Sequence, residues 1–440
     1  MNAVSSRGTG WLRARLRRRA WPLVVTALTL GLQAVYSLWW APVVRHHGYW
    51  VYPGDIWGEF RSAHFIGWGD LGGVYSASTA LVTFPGMLLV LAPIAMLCGA
   101  LGLTESFPYV LPHPTAWLVL GPYVIVVSCI ALFACDALAE RLGITRARRA
   151  WLCFAEGVVL WNVSVHWGHP EDALAMALAL YAFVMAIDGR FTPAGWLLGA
   201  AVATQPLVLL MLPVMMAWAG RGRVRALVTR ALLPSVALLV TPLVAEFHAT
   251  AHALFSQPNY PNLDHVTPWT ALAPVLGGSG TGRMVAAGPG RIVAIVLACL
   301  VGWRARRWQA RPDCLLLAAG CALSIRCLTE SVMVAFYTWP VLAVGLVLAT
   351  LRGRWQARAA VFVAVAVTVC SDTHLGAWVW WPLVNGGLLV VLLLGTPSRV
   401  RLEVPITVET AEPVRAIGFD AFIDDGGTPI VARECSVVAG

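Results

Sequence analysis

Long apolar runs dominate this chain, broken by short polar and arginine-rich segments. The first covers roughly residues 20–43. Others follow near 83–102, 115–138, 150–166, 173–187, 193–219, 231–247, 291–303, 313–329, 332–351, 357–371 and 376–395. Many of these reach the roughly 18–20 residues a helix needs to cross the hydrocarbon core of a bilayer. Membrane strands would show shorter segments of alternating polarity instead. The pattern predicts an all-α fold, a polytopic transmembrane helical bundle of about 11–13 spans. Aromatic and polar residues alternate over 50–68, which predicts a helix lying along the membrane interface.

The polar segments divide the chain into a basic N-terminus (1–19), a multi-span region (20–395) and a tail (396–440). Two long hydrophilic loops lie inside the multi-span region, at 45–82 and 248–290. The tail reads as soluble and is too short to build a sizeable core of its own. No internal repeat is present.

Composition supports the membrane reading. Hydrophobic residues make up 59% and charged residues only 12%, against about a quarter charged in soluble domains. The partner this implies is the lipid bilayer. The net charge of +9 comes from 31 basic residues, every one of them arginine. It calls for no nucleic acid, because arginines in short loops set membrane topology. The ten cysteines lie almost all in apolar runs and form no C-x-x-C pair, so they read as small buried hydrophobes. The basic N-terminus followed by a long apolar stretch reads as a retained signal anchor.

The arginines place the N-terminus in the cytoplasm and residues 45–82 outside. Basic clusters at 145–149, 221–230, 304–311 and 352–358 should all be cytoplasmic. A full crossing by 83–102 would put 145–149 outside. An incomplete crossing keeps it inside, provided 193–219 is a hairpin broken around "TQP", residues 204–206. Both alternatives place 248–290 outside and the tail inside. They differ on "HWGHPED", residues 166–172, for which the arginine bias favours the outside.

Four sets of residues carry candidate chemistry. In "GDIWGEF", Asp55 and Glu59 are four apart and would share a helix face. A carboxylate among Trp57 and Phe60 would be partly desolvated, raising its pKa toward that of a useful base. A solvated loop charge is the plainer alternative. In "VHWGHPEDALAMALALYA", the residues His166, His169, Glu171 and Asp172 gather at the mouth of a span. Catalysis and cation binding are open to them, but Pro and two acids also make an ordinary helix start. Two His three apart can ligate a metal, but no spacing fixes a third ligand, so the metal signal is weak and no metal ligand is assigned. In "SIRCLTESVMVAFYTWP", Arg326 either pairs with Glu330 or grips a phosphate, and Tyr337 is open to packing or to a site. The loop 248–290 offers polar and aromatic groups suited to sugar, among them Asp264, His265 and Arg283. No phosphate-binding glycine loop and no H-E-x-x-H motif is present.

The order of these features resembles the GT-C superfamily of membrane glycosyltransferases, in particular the bacterial branch that uses polyprenyl-phosphate-mannose. The residues concerned are "GDIWGEF", "GDLGGVYSAS" and "FPGMLLVLAPIAML", then "GHPEDALAMALALYAFVMAIDGRFTPAGWLLGAAVATQPLVLLMLPVMM", then "YTWPVLA". The likeness runs in order over about residues 20–350. It implies that Asp55 is the catalytic carboxylate, a base that inverts the anomeric carbon of a lipid-linked sugar. It implies a polyprenyl-phosphate sugar donor, a glycolipid or glycan acceptor and no resident cofactor. Gln205 stands where the family commonly has Lys, and "FPG" replaces an aromatic-Pro-Pro. The leaving phosphate would be steadied by Arg326, with Arg283 and His265 behind it. The competing classes are a transporter or lipid flippase, and a non-catalytic partner with the same fold. A transporter places polar residues midway along its spans, whereas here they gather at span ends.

Overall fold

A computed structural model describes residues 16–44, 48–76, 81, 84–106, 111–256, 259–261, 264–278, 282–373 and 375–397. The tail from 398, and most of the basic N-terminus, lie outside the described residues.

The described residues are mostly helical. The helices are α1 (Ala20–Val44), α2 (Ile56–Trp68), α3 (Gly86–Ala100), α4 (Trp117–Arg141), α5 (Arg146–Trp161), α6 (Pro170–Ile187), α7 (Phe191–Thr204), α8 (Leu212–Ala245), α9 (Gly290–Ala305), α10 (Pro312–Thr329), α11 (Trp339–Arg352), α12 (Arg354–Ser371) and α13 (Ala377–Leu394). Among the described residues, seven helical stretches are long and apolar enough to cross a membrane. That is fewer than the runs of the sequence suggest. An apolar run is not always one spanning helix: α3 has 15 residues and α7 has 14.

The expected break at "TQP" is present. Helix α7 ends at Thr204, Gln205 is extended, and a 3-10 turn runs over Pro206–Met211 into α8. Proline explains it, since Pro206 disfavours helical backbone at the residue before it. A second reversal falls at Gly220, where α8 is broken into two helices; the φ of 67° there is a left-handed value that favours glycine. Gly195 packs against Leu227 and Arg230, and Gly199 against Arg230 and Pro234. The contacts rise in step, so α7 and the stretch after Gly220 run parallel. The chain therefore returns between them through residues 206–219.

Two cores form. The larger is built by most of the bundle helices and includes Phe183, Met211, Leu342 and Trp380. The smaller joins α2, α3 and the first turns of α4 through Trp57, Phe60, Leu91 and Trp117. Helix α3 starts with Gly86 against Ala203, next to the "TQP" break. It leads to Thr104, whose hydroxyl pairs with that of Thr115 just before α4, 3.0 Å away. Both flanks of α3 thus lie at one end of the bundle.

The opposite end is tied by ions. Asp136 on α4 meets Arg19 at 2.5 Å and Arg149 at 2.9 Å, and Glu140 meets Arg18 at 2.9 Å and Arg149 at 2.6 Å. Arg141 pairs with Asp188 after α6, and the Arg223 guanidinium lies 5.1 Å from the ring centre of Phe191 at the start of α7.

The segment 248–290 is anchored by short strands. β1 (His265–Val266) pairs antiparallel with β4 (Val332–Met333), aligning His265 with Met333. β2 (Val275–Gly277) and β3 (Met284–Val285) form a small hairpin with an irregular register.

Candidate functional site

The site grows from the turn before α6. A π-helical turn over Asn162–Trp167 ends at Gly168, whose φ is 71°. A Cβ there would stand 2.3 Å from Pro53 Cγ, so glycine is demanded both by the dihedral and by the close approach. The contact seats the turn on the segment leading into α2. Pro170 then opens α6 with its φ preset for helix. The result places His169 against Asp55, the residue just before α2.

The His169 ring is held on three sides. Its Nε2 lies 3.2 Å from Asp55 Oδ2 and its Nδ1 lies 2.5 Å from Glu171 Oε1. One face stacks on Phe336 with ring centres 3.8 Å apart. Exposure separates the two carboxylates: the Asp55 side chain is 63% exposed and that of Glu171 is 1%. Asp55 lines a cleft of about 230 Å³ with Tyr36, Tyr52, Pro53, His166 and Trp167. Trp167 is fixed from behind, donating to Asp372 Oδ1 at 3.1 Å.

The electrostatics follow from these contacts. The hydrogen bond from His169 holds the Asp55 carboxyl below its ordinary pKa, against the opposing effect of burial. The desolvation expected from Trp57 and Phe60 does not govern it, because those rings turn into the small core while Asp55 stays at the surface. Burial alone would lower the His169 pKa. The charge of Glu171 and the hydrogen bonds to Asp55 and Glu171 overcome this and raise it well above the usual histidine value.

Phe336 links this group to a second one. It meets Tyr337 edge-on at 5.0 Å, and the Arg326 guanidinium lies 3.8 Å from the centre of the Tyr337 ring. Arg326 Nε donates to Glu330 at 3.1 Å, and Arg291 approaches the other oxygen of Glu330 at 3.3 Å. The expected Arg326–Glu330 pair is therefore present, shared with Arg291. Asp172 is buried within electrostatic reach of Arg326 and His169, with Gln205 beside it but not in hydrogen-bond geometry.

Nine of the residues singled out in the sequence thus come together: Asp55, His166, His169, Glu171, Asp172, Gln205, Arg326, Glu330 and Tyr337. Glu59 does not join them. It turns into the small core, near Tyr75, so the shared face expected for Asp55 and Glu59 is not formed. His265 is buried away from the cleft, stacked on Trp380 at 4.0 Å and bonded to the Ser371 carbonyl at 2.7 Å. It fastens the loop to α12 and α13. Asp264 stands just before β1, and Arg283 is exposed in the β2–β3 hairpin. The expected helix start is present, with Pro170 opening α6 and Glu171 and Asp172 in its first turn; Glu171 in addition bonds His169. Phe336, Trp167 and Arg291 are members that sequence reading did not single out, and Phe336 is the one that touches His169. Its only signal was the aromatic run "AFYTW" ahead of Pro340.

Gly168→Ala tests the turn. Left-handed backbone at a non-glycine residue costs roughly 1–2 kcal/mol, and the new methyl must also displace Pro53. A fall in thermal stability of at least that size is expected in a detergent unfolding assay. A melting temperature equal to wild type would show that the turn does not fix His169.

Comparison of the chain with models of known protein families and with curated proteins gives no match. The functional reading rests on the site's own chemistry and on the order of motifs.

Proposed function

We propose that this protein is an integral membrane glycosyltransferase of the GT-C type. It transfers a sugar, mannose first among the candidates, from a polyprenyl-phosphate donor to a cell-envelope glycolipid or glycan on the outer face of the membrane. The observation that carries the reading is the pairing of Asp55 with His169. One exposed carboxylate stands in a cleft at the bundle end, oriented by an imidazole that a buried glutamate holds in turn. Such a base–orienter chain is what proton abstraction needs.

In the reaction, Asp55 accepts the proton of an acceptor hydroxyl. That oxygen forms a bond to the anomeric carbon from the face opposite the phosphate. The bond from the anomeric carbon to the phosphate oxygen breaks, and polyprenyl phosphate leaves with its electron pair. Inversion follows from the single displacement. Arg326 is the cation best suited to the leaving phosphate, because only its Nε is held by Glu330 and its plane is set by Tyr337.

The test is direct. Purified protein is given synthetic polyprenyl-phosphate-mannose and a membrane glycolipid extract, and release of polyprenyl phosphate is followed. Failure to consume any polyprenyl-phosphate sugar would sink the reading. Arg326→Gln should lower kcat/KM for the donor by roughly tenfold to a hundredfold, the worth of one charge-assisted hydrogen bond. The fold should persist, since Glu330 keeps Arg291. Unchanged donor kinetics would remove Arg326 from the site.

A further inference from the structure

Three buried carboxylate oxygens beside the His169 ring have no hydrogen-bond partner: Oε2 of Glu171 and both oxygens of Asp172. Each of these residues is only 1% exposed. Burying ionised groups without partners is costly, and native proteins place such atoms where an ion or water completes them. Acids at a membrane helix mouth are held to the same rule.

The neighbours leave these oxygens without a hydrogen bond. Gln205, beside Asp172, is neutral. Arg326 is within reach of Asp172, but Glu330 already faces it. Arg291 is turned to the same Glu330. Around His169 gather the carboxyl groups of Asp55, Glu171 and Asp172, three acids to one imidazole.

The geometry suits a single ion. Ligand atoms of His169, Glu171 and Asp172 all lie within 4.8 Å of one another. A cation at their centre lies no more than about 2.8 Å from each, so a small inward shift of the side chains brings all three to the roughly 2.0–2.6 Å of metal–ligand bonds. We propose that His169, Glu171 and Asp172 form a divalent-cation site, with His169 Nδ1 as the nitrogen ligand. Asp55 stands outside that shell. It accepts the hydrogen bond from Nε2–H, the usual partner of a metal-bound imidazole. One imidazole with two carboxylates suits ions that accept both nitrogen and oxygen, Mn²⁺ among them. The ion fixes the tautomer of His169 and so fixes where Asp55 points. The consequence for Asp55 rests on the transferase reading above, while the site itself stands on the buried oxygens.

The experiment uses the full chain in detergent micelles, stripped with chelator and titrated with MnCl₂. Free Mn²⁺ is read by electron paramagnetic resonance. One Mn²⁺ per chain is expected for wild type. Asp172→Asn and Glu171→Gln should each weaken binding by about tenfold or more. Gln205→Lys removes no ligand but sets an ammonium beside Asp172, and it should weaken binding as well. It carries the comparison if a ligand variant does not fold. Asp55→Asn, whose amide oxygen still accepts from Nε2–H, should weaken binding less than the loss of either ligand. Absence of bound Mn²⁺ in wild type overturns the site, and so does equal affinity in wild type and Gln205→Lys. Mn²⁺ binding in a protein that consumes no lipid-linked sugar leaves the site standing and removes the transferase reading. Sugar transfer without Mn²⁺ binding does the reverse.

Discussion

Asp55→Asn is expected to lower sugar transfer by roughly 10²–10⁴-fold, the usual worth of a positioned general base. The amide keeps the shape of the carboxylate and can still accept from His169 Nε2. It cannot take up the acceptor's proton. The side chain is 63% exposed, so little stability depends on it, and expression and melting temperature should stay at wild-type values. The loss should appear in kcat more than in the KM for donor, because the missing interaction is made with the proton in flight. The assay is turnover of a polyprenyl-phosphate sugar in proteoliposomes. Full activity in the variant would rule Asp55 out as the base. Glu59→Gln should leave turnover near wild type, since Glu59 points into the small core instead of the cleft.

The largest effect on stability is expected at the other end of the bundle, from Asp136→Ala. Asp136 joins α4 to α1 through Arg19 and to α5 through Arg149. Its side chain is 1% exposed, and that of Arg149 is 7% exposed. The Arg19 contact is a short hydrogen bond. Arg149 approaches Oδ1 at 2.9 Å as an ion pair, without hydrogen-bond alignment at Nε. Deleting the acid leaves Arg19 and Arg149 to share Glu140 with Arg18. Breaking a buried pair by removing one partner costs about 3–5 kcal/mol, because the remaining charge stays buried. The control is Arg18→Ala. Arg18 is exposed and also meets Glu140, and surface pairs are worth about 0–1 kcal/mol. Thermal unfolding in detergent should separate the two variants clearly. Equal melting temperatures would show that the Asp136 network does not hold the first helix to the bundle.

Much of the helical layout was legible because apolar runs and proline act locally. The "TQP" break follows from Pro206 restricting the residue before it. The turn at Gly168 was legible only as a glycine before His-Pro; its demand for glycine also comes from Pro53, more than a hundred positions earlier. The Arg326–Glu330 pair was readable from its four-residue spacing, whereas the second partner, Arg291, was not. Asp55 and Glu59 show the limit of spacing. They are four apart, yet Asp55 precedes the helix and faces solvent, while Glu59 is inside its first turn and faces the core.

By itself the sequence determined a helical architecture with several helices long and apolar enough to cross a membrane, because hydrophobic run length and backbone hydrogen bonding leave a chain few other ways to cross lipid. It also placed the chemistry-bearing residues at the ends of apolar segments. Only the tertiary structure decided which of those residues meet. The contact of Asp55 with His169, the stacking of Phe336 on that ring and the burial of Asp172 join three distant segments. No local pattern encodes them, since contacts of that range are set by how helices pack and not by the period of any one of them.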